Sequence, residues 1–211
     1  MKTSNLKIKT KNQNYNIIIG KNLLRNFSKI LNKNKINLNK CLLVIDNNIP
    51  QKNLNKIITT LKKKKIFTYY FNSSEANKNQ ESINKIIDIL LRNNFHRNDY
   101  LISIGGGITG DVASYAASIF KRGMSFINIP TTLLAQVDSS IGGKTGINSK
   151  YGKNLIGTFY QPKLVISDTN FLKSLSKREI ICGYAEILKH SLIRNEKLFN
   201  YLDKNAYKIL N

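Results

Sequence analysis

The sequence predicts an α/β fold, a parallel sheet with helices on both faces, that gives way to the start of an all-α part. Three observations predict it. Apolar runs at 41–45, 66–71, 101–104, 125–129 and 165–167 read as buried strands, and helical periodicity lies between them over 51–61, 83–91 and 111–120. Parallel neighbours need such crossovers, and right-handed ones cover both faces of a sheet. Residues 101–120 run strand, glycine turn, helix. Beyond Asn170 the apolar spacing is helical over 175–190 and 196–210, with no strand between. The boundary therefore falls near Thr169, giving an α/β domain over 1–169 and the first helices of a second domain over 170–211.

Residues 6–8 and 15–19 read as two short strands, and Asn22 as the cap of a helix over 23–31. Asp46 and Asn48 follow the strand at 41–45, at the carboxyl end where open α/β sheets bind ligands. Each has two readings at this point: a ligand contact, or a turn former that caps the helix at 51–61. The loop 72–78 comes after the next strand, and His96 reads as a surface loop residue. Gly105, Gly106 and Gly107 allow positive φ and close approach of backbone N–H groups, and the helix start adds partial positive charge, so a pyrophosphate fits there. Gly105, Gly107 and Gly110 satisfy G-x-G-x-x-G, but the acidic residue expected about twenty positions later is missing from 125–130, which makes the fingerprint weak alone. Pro130 ends the following strand and leaves the hydroxyls of Thr131 and Thr132 at the sheet edge. Gly143, Lys144 and Thr145 match the end of a phosphate-binding P-loop, yet Asp138 stands where its first glycine belongs, which excludes a nucleoside triphosphatase. Ser176 and Glu179 have capping-box spacing. Glu186, Lys189 and His190 share one helix face, either as a solvated ion pair or as a metal ligand beside an anion-binding lysine.

With 211 residues and 41% hydrophobic content the chain has room for one sizeable core and part of a second. Its net charge of +22 comes from a general enrichment in lysine, without an aromatic-studded basic strip, so no nucleic-acid partner is expected. The charge would steer anionic substrates inward. Cys41 and Cys182 lack metal-knuckle or C-x-x-C spacing and read as reduced core residues. No signal core and no apolar run near the roughly 18 residues of a membrane helix is present, so a cytoplasmic protein without a membrane partner is expected.

Four blocks, GGGITGDVASYAASIFKRG, IPTTLLAQVDSSIGGKTGIN, GKNLIGTFYQP and GYAEILKH, resemble in order and spacing the 3-dehydroquinate synthase family of sugar-phosphate cyclases, from about Lys40 to the chain end. The resemblance implies a Rossmann-like NAD-binding domain followed by a helical metal and substrate domain. It implies a lyase of the shikimate pathway, leading to aromatic amino acids, that converts 3-deoxy-D-arabino-heptulosonate 7-phosphate to 3-dehydroquinate and phosphate. In that chemistry an alcohol is oxidised by NAD, phosphate is eliminated, the ketone is reduced again, and the ring reopens and closes by an aldol step. The implied cofactors are NAD and zinc, or cobalt.

Carried over by motif, Asp46 and Asn48 meet the adenosine end, where an acid pairs with a ribose hydroxyl and repels the extra phosphate of NADP. Glu75 and Lys78 hold ribose hydroxyls, next to Ser73 and Ser74, where the family has an acid and a glycine. Gly106, Gly107, Ile108, Thr109, Gly110 and Asp111 form the glycine turn, and Thr131, Thr132, Lys144, Lys153, Phe171, Leu172, Lys173 and Ser174 complete the cofactor contacts. Asp138, Lys144, Asn154 and Lys189 bind the phosphorylated sugar acid. Arg122 is implied to clamp phosphate across a subunit boundary, hence an expected homodimer. Glu186 is the implied metal ligand; His190 has no such role in the family pattern. Two further ligand histidines of the family would lie beyond Asn211, so the chain is expected to be an amino-terminal portion that does not turn over by itself. Alternatives are a non-catalytic NAD-binding remnant, another sugar-phosphate cyclase or a polyol dehydrogenase.

Overall fold

A computed structural model describes residues 3–11 and 13–210. Seven strands form one sheet in the order β1-β2-β9-β6-β5-β3-β4. They are β1 (Ser4–Lys9), β2 (Asn14–Gly20), β3 (Lys40–Asp46), β4 (Lys65–Phe71), β5 (Tyr100–Gly105), β6 (Ser125–Pro130) and β9 (Leu164–Asp168). All neighbours are parallel except β1, which returns antiparallel along β2 at the edge. The chain builds outward from β3 to β4, then crosses back to add β5, β6 and β9 on the other side of β3. The strand order thus reverses between β3 and β5, and a crevice opens above their carboxyl ends.

Both faces of the sheet are covered. Cys41, Leu43 and Ile45 of β3 point to the core under α1 (Phe27–Lys33) and α2 (Gln51–Thr60). Leu42 and Val44 point to the core under α3 (Gln80–Arg92) and α4 (Gly107–Ile119). This period-2 division of one apolar run is what makes β3 a central strand. Ala113, Ala116 and Ala117 are fully buried on α4 and let that helix lie close on the sheet.

Asn22 does not cap a helix. It sits in the left-handed region at φ 61, ahead of a 3₁₀ turn over Leu23–Asn26, with no side-chain capping bond. The donors there go instead to Asp168, from the end of β9: Oδ1 accepts from the Asn22 and Asn170 backbone N–H groups at 3.0 Å each, and Oδ2 from Leu24 N–H at 3.1 Å. A carboxylate brought by a distant strand wins because it satisfies three donors at once. Helix α4 begins at Gly107, so Asp111 lies in its second turn and not at its start. Periodicity could not register the earlier residues because three of the four are Gly or Thr. Asp46 and Asn48 form a turn, with Asn48 N–H 2.9 Å from Asp46 Oδ1, but α2 is capped at Pro50 without their side chains.

Two elements escaped the sequence reading. Ala135–Ser139 is a single π-helical turn, and β7 (Ile147–Ser149) with β8 (Gly152–Ile156) forms a separate antiparallel hairpin. The latter is short and polar, without alternating apolar residues. Beyond Asp168, the expected helices are α5 (Lys177–Arg194), opened by a complete Ser176–Glu179 capping box, and α6 (Glu196–Leu210). They meet where Tyr184 Oη donates to the Leu202 carbonyl at 3.3 Å. Cys41 is buried, and burial pushes its thiol up to about 12, but Cys182 is exposed on α5 and is no core residue. Among the described residues no helix is long and apolar enough to cross a membrane.

Asp168→Ala is expected to lower stability by about 2–4 kcal/mol, since it strands three backbone donors, and Asp168→Asn by less because one acceptor oxygen survives. Urea denaturation at neutral pH checks this; equal losses for the two variants would contradict it.

Candidate active site

Two cavities open above the sheet, one on each side of the glycine turn. The first, about 370 Å³, is lined by Asp46, Asn48, Thr131, Thr132, Phe171 and Ser174. The second, a cleft of about 580 Å³, is lined by Asp111, Asp138, Lys144 and Asn154 among others. Gly106 and Gly107 separate them. A Cβ on Gly106 would lie 3.2 Å from Thr132 Cγ2, on the side of the first cavity, and one on Gly107 would lie 3.0 Å from Ser139 Oγ, on the side of the cleft. None of Gly105, Gly106, Gly107 or Gly110 has positive φ, contrary to the expectation, so these positions need a missing side chain and not a left-handed backbone. Positive φ is found instead in the second loop, at Gly142 and Gly143. That loop presents exposed Lys144, which pairs in a single β-bridge with Phe159 and runs on into β7, where a P-loop would enter a helix.

One wall of the cleft is held by Lys78, which is 5% exposed. Its Nζ donates to Asp111 Oδ2 at 2.6 Å and to Asn154 Oδ1. The loop after β4, the second turn of α4 and the hairpin are thereby tied together. Asn154 takes the left-handed conformation, φ 58, and its N–H donates to Asn148 Oδ1 at 3.0 Å. Asn148, a residue the sequence reading passed over, also donates to Glu75 Oε2 at 2.9 Å. Lys153 Nζ lies 3.5 Å from the same carboxylate, so Glu75 and Lys78 each have other partners and do not pair with one another. Ser73 accepts from Thr109 Oγ1 at 3.3 Å, and Ser74 caps the short turn that carries Glu75. Ile108 and Gly110 are half-buried on α4, while Leu172 and Lys173 are not among the residues that line the first cavity.

Helix α5 packs beside the cleft at Asp138. Gly183 lies against the chain just after β6: a Cβ there would meet Leu133 Cγ at 2.5 Å and Leu134 N at 2.8 Å. No larger residue allows that approach. It brings Glu186, one turn further along the same face, up to Asp138 of the π turn, and the ligand atoms of Asp138, Glu186 and His190 lie within 4.8 Å of one another. Glu186 Oε1 is 2.8 Å from Lys189 Nζ and 3.3 Å from His190 Nε2. The Lys189 hydrogen bond is the main cause that holds the Glu186 carboxyl below its usual range. Arg122 is exposed in the left-handed turn after α4, at the opposite end of that helix from the glycine turn, and is not brought to either cavity. His96 is exposed in a loop, as expected.

Burial raises the Asp111 carboxyl above its ordinary value, and Lys78 pulls it partly back. A carboxyl raised by folding favours the folded state below its unfolded pKa and loses that advantage as pH rises to the folded value. Lys78→Met removes the opposing cation. It is expected to cost about 1–3 kcal/mol at neutral pH and less at acid pH, where Asp111 takes up a proton. Thermal unfolding of both proteins across that range checks it; a loss independent of pH would contradict the pairing.

Residues 68–182 match the family described as 3-dehydroquinate synthase N-terminal. A 3-dehydroquinate synthase of Pelagibacter ubique (strain HTCC1062) is 62% identical over 205 residues, which are 97% of this chain and 56% of that protein. The chain spans about half the length of the curated relatives it matches. Among solved structures, 2-epi-5-epi-valiolone synthase from Streptomyces hygroscopicus subsp. jinggangensis 5008, with NAD+ and Zn2+ bound, superposes with a TM-score of 0.85 at 27% identity, over 96% of this chain and 56% of that one. A 2-deoxy-scyllo-inosose synthase complexed with carbaglucose-6-phosphate, NAD+ and Co2+ gives a TM-score of 0.81 at 25% identity, over 88% and 50%. Taken with the seven-stranded sheet and the paired cavities at its switch point, these matches establish that the chain belongs to the 3-dehydroquinate synthase family.

Proposed function

We propose that this chain is the cofactor-binding part of a 3-dehydroquinate synthase, a lyase that releases phosphate from 3-deoxy-D-arabino-heptulosonate 7-phosphate with NAD and a divalent metal. The observation that carries the reading is the pair of cavities divided by the glycine turn, one lined by an acid and hydroxyls, the other by acids, an amide and a lysine. The NAD- and metal-bound cyclases of similar fold support it.

In this reading the first cavity takes the adenosine end, where Asp46 accepts ribose hydroxyls and repels a 2′-phosphate. The unpaired N–H groups that open α4 take the pyrophosphate, and Gly106 and Gly107 keep that approach free of side chains. Beyond the turn, Glu75, Lys153 and the Lys78–Asp111–Asn154 group meet the nicotinamide ribose and the substrate facing it. Lys144 and Lys189 bind the anionic groups of the sugar acid, and Asp138 orients its hydroxyls. The donor atoms around Glu186 fit a divalent cation. When bound, NAD supplies reversible hydride acceptance and the metal polarises the substrate oxygen. Arg122, far from both cavities of its own chain, would serve a second copy in a cytoplasmic homodimer. These residues supply the cofactor side and part of the substrate side of such a site.

Titration calorimetry is expected to give NAD at least about tenfold tighter than NADP, with Asp46→Ala closing most of that gap. Equal affinities in the unaltered chain would overturn the assignment of the first cavity.

A further inference from the structure

Asn148 lies in β7, in the hairpin whose second strand lines the cleft, and its bonds reach the loop after β4 as well as the next strand. Its backbone N–H donates to the Lys78 carbonyl at 2.7 Å. Its side-chain Nδ2 donates to Glu75 Oε2 at 2.9 Å and to the Glu75 carbonyl at 3.2 Å, while Oδ1 accepts from the Asn154 N–H at 3.0 Å. These partners fix the polarity of the amide, since a flipped group would set Nδ2 against a donor and Oδ1 against a carboxylate. The Asn148 hydrogen bond is also the main cause that holds the Glu75 carboxyl below its usual range. Asn154 is held at both ends, its N–H by Asn148 and its Oδ1 by Lys78, and this keeps a residue other than glycine in the left-handed region at φ 58. The bond to Glu75 is exposed to solvent and adds little to folding stability; what it fixes is direction.

We infer that Asn148 is a positioning residue that joins Glu75, on the cofactor side, to Asn154, on the substrate side, so that a dinucleotide seated on Glu75 sets the backbone of Asn154. This deepens the reading above and rests on it for the roles of Glu75 and Asn154; the part played by Asn148 is new. A ribose hydroxyl that donates to the Glu75 carboxylate restricts it, and the restricted carboxylate holds Nδ2. The planar amide then carries that restriction to Oδ1 and the Asn154 N–H. The chain of contacts requires a donor and an acceptor on one short, rigid side chain. An aspartate at this position would keep the shape and the acceptor but set a second carboxylate about 3 Å from Glu75, and like charges that close drive each other apart.

The test is titration calorimetry of the chain with NAD, joined to hydrogen exchange at the Asn154 amide by NMR and to urea unfolding of each variant. Asn148→Asp is expected to weaken NAD by about tenfold or more while moving the urea midpoint little. In a Glu75→Gln background the same substitution is expected to cost about twofold or less, because an amide there can donate to the introduced carboxylate. NAD should slow exchange at the Asn154 amide by about fivefold in the parent and leave it unchanged in Asn148→Ala, which has no side-chain acceptor. If Glu75→Gln weakens NAD while Asn148→Asp does not, or costs the same in both backgrounds, the positioning role is wrong and the role of Glu75 stands. Equal slowing of the Asn154 amide in Asn148→Ala would overturn it in the same way. If Glu75→Gln binds NAD like the parent, or the parent binds none, both fall.

Discussion

The contact between Lys78 and Asp111 sets the shape of the site. A cation 5% exposed and a half-buried carboxylate each carry a desolvation cost that the other, 2.6 Å away, partly offsets. Because Lys78 comes from the loop after β4 and Asp111 from α4, satisfying the pair fixes the loop over the glycine turn. Because the same ammonium also binds Asn154, the hairpin is drawn in as the outer wall of the cleft. Three segments that share no regular hydrogen-bond ladder are thus positioned by one buried charge.

Small residues do the complementary work. Gly106 and Gly107 keep the passage between the two cavities free of side chains, and Gly183 lets a helix of the second part reach the turn after β6. The α/β part lines the cleft, and α5 brings a carboxylate and an imidazole up to Asp138 beside it. The site therefore depends on both parts. The basic surface adds a long-range pull on anionic ligands that should fade with salt.

Much of the fold was legible because its signals are local. The run at 41–45 announced a central strand, and the change of period after Asn170 announced α5 and α6. The antiparallel placement of β1 and the π turn were not legible, since neither alters apolar periodicity. Asn22 misled because capping propensity is local, whereas Asp168 reaches the same donors from 144 residues or more away. Within the site, motif blocks picked out the residues around both cavities but not their partners. Nothing in the sequence signalled that Asn148 would join Glu75 to Asn154, and Gly183 was visible only as a glycine inside a helical block. Arg122 was legible as a candidate, and the structure adds that its own chain's cavities lie beyond its reach.

The central claim is that one extended cofactor crosses the glycine turn from the Asp46 cavity to the Asp138 cleft. A crystal structure of the chain grown with NAD tests it most directly. The account predicts adenosine beside Asp46 and Phe171, the pyrophosphate on the first N–H groups of α4, and the nicotinamide within contact of Asn154 or Lys144. A dinucleotide bound in the reverse direction, or one confined to a single cavity, would contradict it.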